Sequence, residues 1–153
     1  MKFNKEIFDK VIDNIPIQHG ILSENKTRAI ITGTFMFCTY GLMSEFGDID
    51  IVIDGLNSDL ADSIYDYCMV NNLQINHKKN HHYLSMEIEN GGFIYNILFT
   101  NDYTYNPVMF TDESKIIGFD RVENALAIKM EFNREKDKKH LEYMIEIFKK
   151  YTN

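Results

Sequence analysis

Basic residues are in short supply in this chain: Lys and Arg total 16 against 23 Asp and Glu, a formal net charge of −7. That deficit argues against broad, non-specific nucleic-acid binding, which depends on cations that displace counterions along a phosphate backbone. A local basic pocket is still open to it, because charge is unevenly placed. Arg134, Lys136, Lys138, Lys139, Lys149 and Lys150 crowd the C-terminal end, whereas Asp48, Asp50, Asp54, Asp59, Asp62 and Asp66 crowd the middle. Cysteine is nearly missing too. Cys38 and Cys68 lack paired metal-ligand spacing and read as buried free thiols in a reducing, cytoplasmic compartment. No apolar run approaches the roughly 18 residues of a membrane span. The opening MKFNKEIFDKVID alternates charged and apolar residues at helical spacing, which is not the pattern of a signal peptide. Prolines number two and alanines are few beside abundant Asn, Ile, Lys and Tyr, a usage that hints at an A+T-rich genome.

What remains is ordinary for a globular protein: 153 residues, 44% hydrophobic and 25% charged. The expectation is a single domain over residues 1–153, without repeats, linkers or low-complexity tracts. Phe3, Ile7, Phe8, Val11, Ile12 and Ile15 make an amphipathic helical stripe over Lys2–Asn14, ended by Pro16. Arg28–Thr32 reads as a strand, Thr34–Tyr40 as a buried helix closed by Gly41, and Asp48–Ile53 as a second strand. Asp59 caps a helix to about Val70. Gln74–Lys78, Tyr83–Glu89 and Phe93–Phe99 follow as strands, the last two joined through Asn90-Gly91-Gly92, a strong hairpin signal. Asn101–Glu113 lacks periodicity and reads as a loop, and Lys115–Phe119 as a short extended piece. One helix opens at Asp120 or Arg121, and a last one spans about Lys136–Tyr151. Together these predict an α+β fold with a small mixed β-sheet and helices packed on one side.

The chemistry-bearing feature is Gly33-Thr34 followed fifteen residues after the glycine by Asp48-Ile49-Asp50. Carboxylates at i and i+2 on a strand point to the same face. Gly33-Thr34 sits where a strand should turn into a helix, and such a turn offers backbone N–H groups to an anion. Mg²⁺ is a hard ion that takes one or two carboxylates plus phosphate and water. The pattern therefore reads as a metal–triphosphate site, against the plainer alternative of solvated acids at a strand end.

The stretch ITGTFMFCTYGLMSEFGDIDIVI resembles the first motif of the polymerase-β-type nucleotidyltransferase superfamily. It looks closest to short prokaryotic and phage proteins related to AbiE-type abortive-infection toxins. VENALAIKMEFNREKDKKHLEYM is similar to the helical segment of the same family, with Lys129, Arg134, Lys136 and Asp137 matching its basic cluster. The resemblance implies a nucleotidyltransferase-like fold and an enzyme that transfers NMP from an NTP to an acceptor hydroxyl on a small molecule, a tRNA or a protein. It implies Asp48 and Asp50 as Mg²⁺ ligands. It also implies that Gly33, Thr34, Lys129, Arg134 and Lys136 hold the triphosphate, the cations offsetting phosphate charge.

The family pattern breaks at one place. A third carboxylate normally lies on a later strand, where it is credited with activating the acceptor hydroxyl. The matching position in FIYNILF is Asn96, and an amide neither takes a proton nor adds negative charge. With a two-residue turn at Asn90-Gly91 or Gly91-Gly92, Glu87 shares a face with Asn96, directly opposite it in the second register; a three-residue loop would invert the relation. Ser44-Glu45-Phe46-Gly47 also lacks the arginine that many relatives carry ahead of Asp-x-Asp. These departures support an alternative: a catalytically decayed domain that acts as a nucleotide-binding, toxin–antitoxin-like or phage-associated structural component.

Other residues read more simply. His77, His81 and His82 beside Lys78 and Lys79 suit a solvated turn, with no Cys or carboxylate at zinc spacing. His140 reads as a helix-face histidine, with a role in the site as the sharper alternative. Phe35, Phe37 and Tyr40 look like core. Tyr103 and Tyr105 fall in the long loop, where they either stack on a base or pack the loop itself.

Overall fold

A computed structural model describes residues 1–17, 22, 27–55, 58–79, 83–101, 103, 107, 109–111, 117–132 and 134–152; the side chains at 78, 79, 83, 128, 129, 132, 147, 148 and 150–152 lie outside the description. In chain order the elements are α1 (Lys5–Asp13), β1 (Ala29–Thr32), α2 (Gly33–Thr39), β2 (Ile49–Asp54), α3 (Ser58–Val70), β3 (Ile75–Lys79), β4 (Tyr83–Asn90), β5 (Phe93–Thr100), β6 (Met109–Phe110), β7 (Ile117–Phe119), α4 (Val122–Phe132) and α5 (Glu135–Thr152). The seven strands form one sheet in the order β3-β4-β5-β2-β1-β7-β6. β2 runs parallel to β5 and β1 parallel to β7, and the remaining neighbours are antiparallel. The fold is α+β with a mixed sheet, as the sequence predicts.

Local signals explain most boundaries. Asn4 Oδ1 accepts the Ile7 N–H at 2.8 Å, so α1 starts at Lys5 rather than Lys2. The residues ahead of it pair with the chain before β2 instead, through a Lys2–Glu45 bridge and Phe3 N–H to Ser44 carbonyl at 2.9 Å. The β4–β5 hairpin turns on Gly91 and Gly92, with φ of +61° and +85°, the pair of positive φ values that a two-residue type I′ turn demands. One departure is β6. Two residues are too few to show alternation, so Met109–Phe110 disappears within a stretch that reads as a loop. Its pairing with β7 requires Gly118, where a Cβ would meet Pro107 at 2.5 Å.

The larger part of the core lies on one face of the sheet. Ile31, Ile51, Ile97 and Met86 are in register across β1, β2, β5 and β4, and all are buried. Val11 of α1, Phe35 and Phe37 of α2, and Leu60, Ala61, Ile64 and Cys68 of α3 belong to the same cluster. Tyr95 sits in it as well, and its hydroxyl is satisfied by the Val11 carbonyl at 2.6 Å. Cys38 and Cys68 are free and buried, as expected, and burial pushes the Cys38 thiol up to about 12. No helix among the described residues is long and apolar enough to cross a membrane.

Candidate active site

One residue from the buried row of Ile31, Ile51, Ile97 and Met86 on each strand, the opposite face carries a polar row. Thr32 pairs with Asp50, Asp50 with Asn96, and Asn96 with Glu87, so four neighbouring strands align four polar side chains. The row beside it is apolar, with Ile30, Val52 and Leu98 in register. Asp48 precedes β2 and is exposed; Asp50, on the strand, is half-buried. The two acids converge, because the Asn96 amide nitrogen lies 3.0 Å from Asp48 Oδ2 and 3.3 Å from Asp50 Oδ1.

Gly33 fixes the approach of the chain to this row. Its φ is +74°, and a Cβ there would collide with the Asp50 carboxylate. Only a glycine gives both the left-handed backbone and the room. α2, which it opens, has just seven residues, so its dipole contributes little. What this turn supplies is space beside Asp50, with Thr34 next to it.

Thr32 leads to a polar node that sequence reasoning missed. Its hydroxyl donates to Asp120 Oδ2 at 3.0 Å, and the Tyr103 hydroxyl donates to the same oxygen. Asp120 is buried. Its other carboxylate oxygen accepts from Arg121 N–H at 2.8 Å and Asn124 Nδ2 at 3.1 Å, which starts α4, and its carbonyl accepts from Tyr40 at 3.2 Å. Burial raises the Tyr103 phenol above its ordinary value, and the hydrogen bond that Tyr103 gives to Asp120 adds to the shift. Tyr103 is thus tied down through its hydroxyl. The signal in the sequence is an aspartate at a helix start, which says nothing of these partners.

The C-terminal cations arrive from across the cleft. Asp137, in the first turn of α5, caps its start: its Oδ2 accepts the Arg134 backbone N–H at 3.2 Å, and the Arg134 guanidinium grips the same carboxylate at 2.7 and 3.3 Å. Asp137 is fully buried while the Arg134 side chain is 53% exposed, so the pair anchors the helix end and leaves one side of the guanidinium facing outward. The Asp137 hydrogen bond raises Arg134 above its ordinary value against desolvation, and Asp50 adds to this.

Two cavities meet at this point. A polar one of about 620 Å³ is lined by Thr34, Glu45, Asp48, Asp50, Asn96, Arg134, Lys136 and His140, among others. A second, of about 360 Å³, shares Thr34, Asp50, Asn96, Arg134, Lys136 and His140, and adds Thr32, Gly33, Val52, Leu98, Ala125 and Tyr103. Folding therefore brings together Gly33, Thr34, Asp48, Asp50, Asn96, Arg134 and Lys136, from Gly33 to Lys136 a span of 103 positions in sequence. His140, one turn beyond Lys136 on α5, faces both cavities rather than only the solvent. Lys129 lies on α4 with its side chain outside the described residues. Glu87 is directly opposite Asn96 on β4, exposed, and lines neither cavity. His77 is exposed on β3, and His81, His82 and Tyr105 lie outside the described residues. Phe35 and Phe37 are core, as expected, and Tyr40 packs against it.

The donor set suits Mg²⁺. Two convergent carboxylates beside an open polar cavity match an ion that completes its shell with phosphate oxygens and water. Among the described residues no group of three or more His, Cys, Asp or Glu side chains is gathered into a closed metal cage.

No protein-family model matches the chain, and no curated protein matches it. Among solved structures it is similar to a cytoplasmic RNA terminal U-transferase, with 14% identity over 66% of this chain and a TM-score of 0.47. It is also similar to the Cid1 poly(U) polymerase bound to MgGTP, at 15% identity over 65% and a TM-score of 0.49. Cid1 with its short product ApU gives 14% identity over 66% and a TM-score of 0.47. The chain spans about a third of the length of these proteins, 31%, 34% and 32% respectively.

Proposed function

We propose that this chain is a minimal Mg²⁺-dependent nucleotidyltransferase that moves NMP from an NTP to an acceptor hydroxyl on a small molecule, a tRNA or a protein. The observation that carries this reading is the meeting of Asp48 and Asp50 with Arg134, Lys136 and His140 around one pair of joined cavities. Asp48 and Asp50 would hold Mg²⁺. When bound, the ion offsets the charge that builds on the phosphates during transfer. Arg134 and Lys136 face the acids across the cavity, where they would take the phosphate oxygens left over. Thr34 offers a hydroxyl to the same groups, and Val52, Leu98 and Tyr103 line the less polar chamber beside them. A short chain of AbiE-like type, working in the cytoplasm in a toxin–antitoxin or phage setting, is the biological context this reading implies.

One observation favours a second reading. Asn96 occupies the place of a third acid, and an amide does not accept the acceptor's proton. A domain that binds nucleotide without transferring it would keep everything else in the site. Incubating the protein with α-labelled NTPs, Mg²⁺ and a lysate separates the two. Label that moves to an RNA, protein or small molecule, and stops moving in Asp50→Asn, supports transfer. Nucleotide binding with no transferred label from any NTP supports the binding role.

A further inference from the structure

Asn96 makes a contact that a third carboxylate would not make. Its amide nitrogen carries two hydrogens, and it lies 3.0 Å from Asp48 Oδ2 and 3.3 Å from Asp50 Oδ1. Each hydrogen is thereby directed at one acid. Hydrogen bonds from a neutral donor to a carboxylate are among the stronger ones, and here they offset the repulsion of two adjacent negative charges. A divalent cation would compete for those same oxygens. β5 lies between β2 and β4 in the sheet, which holds the Asn96 backbone in place, so only side-chain rotation can free the acids.

From this geometry we infer that Asn96 closes the Asp48–Asp50 pair against free divalent cations, so that the site takes Mg²⁺ together with a triphosphate and not ahead of it. The inference rests on the nucleotide site proposed above. Mg²⁺ sheds its water reluctantly, and two carboxylates already satisfied by an amide give it little reason to do so. A triphosphate changes the balance: it brings its own oxygens to the ion and meets Arg134 and Lys136 on the far wall. Asn96 then turns, releasing the acids and presenting its carbonyl oxygen instead of its N–H groups. The amide is a positioning group in this scheme, acting through the two acids.

The test is Mn²⁺ binding followed by electron paramagnetic resonance, without nucleotide and then with a non-hydrolysable ATP, GTP, CTP or UTP analogue. Asn96→Ala removes the donor, and Asn96→Val does so while keeping a strong strand former in the middle of β5. Either variant should bind free Mn²⁺ at least about tenfold more tightly than wild type, a change of ~1.4 kcal/mol. With a triphosphate analogue present, the difference should shrink. Free Mn²⁺ binding that is unchanged or weaker in the folded variants would overturn the inference, because the amide would then be a bystander or a ligand. Should wild type bind Mn²⁺ with an analogue, dependent on Asp48 and Asp50, while the variants show no tightening, only the role of Asn96 falls. If no analogue brings Mn²⁺ to those acids, the nucleotide site itself falls and this inference with it.

Discussion

The two faces of the sheet are built from the same strands and differ by a shift of one residue. On the face packed against α1, α2 and α3, Ile31, Ile51, Ile97 and Met86 align and are buried. On the other, Thr32, Asp50, Asn96 and Glu87 align in the neighbouring row. Alternation along a strand makes this division possible, because successive side chains leave opposite sides of the pleat. β2 shows it best: Ile49, Ile51 and Ile53 go to the core while Asp50 goes to the cleft. The stiffness that comes from burying the first set holds the second set in place. Stability and chemistry are thus assigned to opposite faces of one element, and substitutions should sort accordingly.

The largest expected effect is on the core face. Ile51→Ala should lose ~2–5 kcal/mol of stability, the range for deleting a buried aliphatic side chain, read from urea unfolding midpoints. Asp50→Asn, the neighbouring position on the other face, should change stability by less than about 1 kcal/mol. Equal losses at the two positions would break the comparison. Gly33→Ala comes next, since it both strains a backbone at φ +74° and drives a Cβ into Asp50. A loss above ~1 kcal/mol is expected, with weakened Mg²⁺–NTP binding, because this glycine belongs to both the fold and the cleft. Asp137→Ala should cost ~0.5–2 kcal/mol by removing the cap of α5, seen as a lower thermal midpoint.

The smallest effect is a pH dependence, and it should come from both faces, since burial raises Tyr40 and the cleft-lining Tyr103 as well as groups in the core. Burial raises Cys38 from 9.0 to about 12, and raises Cys68 and Tyr95 as well. The folded state therefore keeps protons that the unfolded chain gives up. That contribution is intact below pH 9 and declines as pH rises toward 12, so unfolding midpoints should fall across that window. Cys38→Ser should reduce the slope. A midpoint that holds steady to pH 11 would count against burial of these groups.

Much of this was legible from residues alone. Apolar alternation in β2 and β5, the glycine pair of the hairpin and the polar caps gave the element order, since each is a local preference that packing reinforces. Gly33-Thr34 and Asp48-x-Asp50 marked one wall of the cleft for the same reason. Sequence alone leaves the β4–β5 register open between two turns, and the Gly91–Gly92 turn resolves it, placing Glu87 directly opposite Asn96. What stayed hidden depends on long-range contact. Asp120 shows itself only as one of two residues at a helix start, and nothing local announces that Thr32 and Tyr103 converge on it from 88 and 17 residues away. His140 stays ambiguous in the sequence because a helix face says nothing about which neighbour it meets. β6 was hidden because two residues carry no period.

The measurement closest to the central claim is calorimetric titration of wild type and the Asp48→Asn/Asp50→Asn double variant with each NTP and Mg²⁺, paired with urea unfolding of both proteins. The account predicts that wild type binds at least one NTP in a Mg²⁺-dependent manner, and that the double variant loses this binding while unfolding within about 1 kcal/mol of wild type. Retention of Mg²⁺-dependent binding in the double variant, or its absence from wild type with every NTP, would contradict the assignment of this face to nucleotide chemistry.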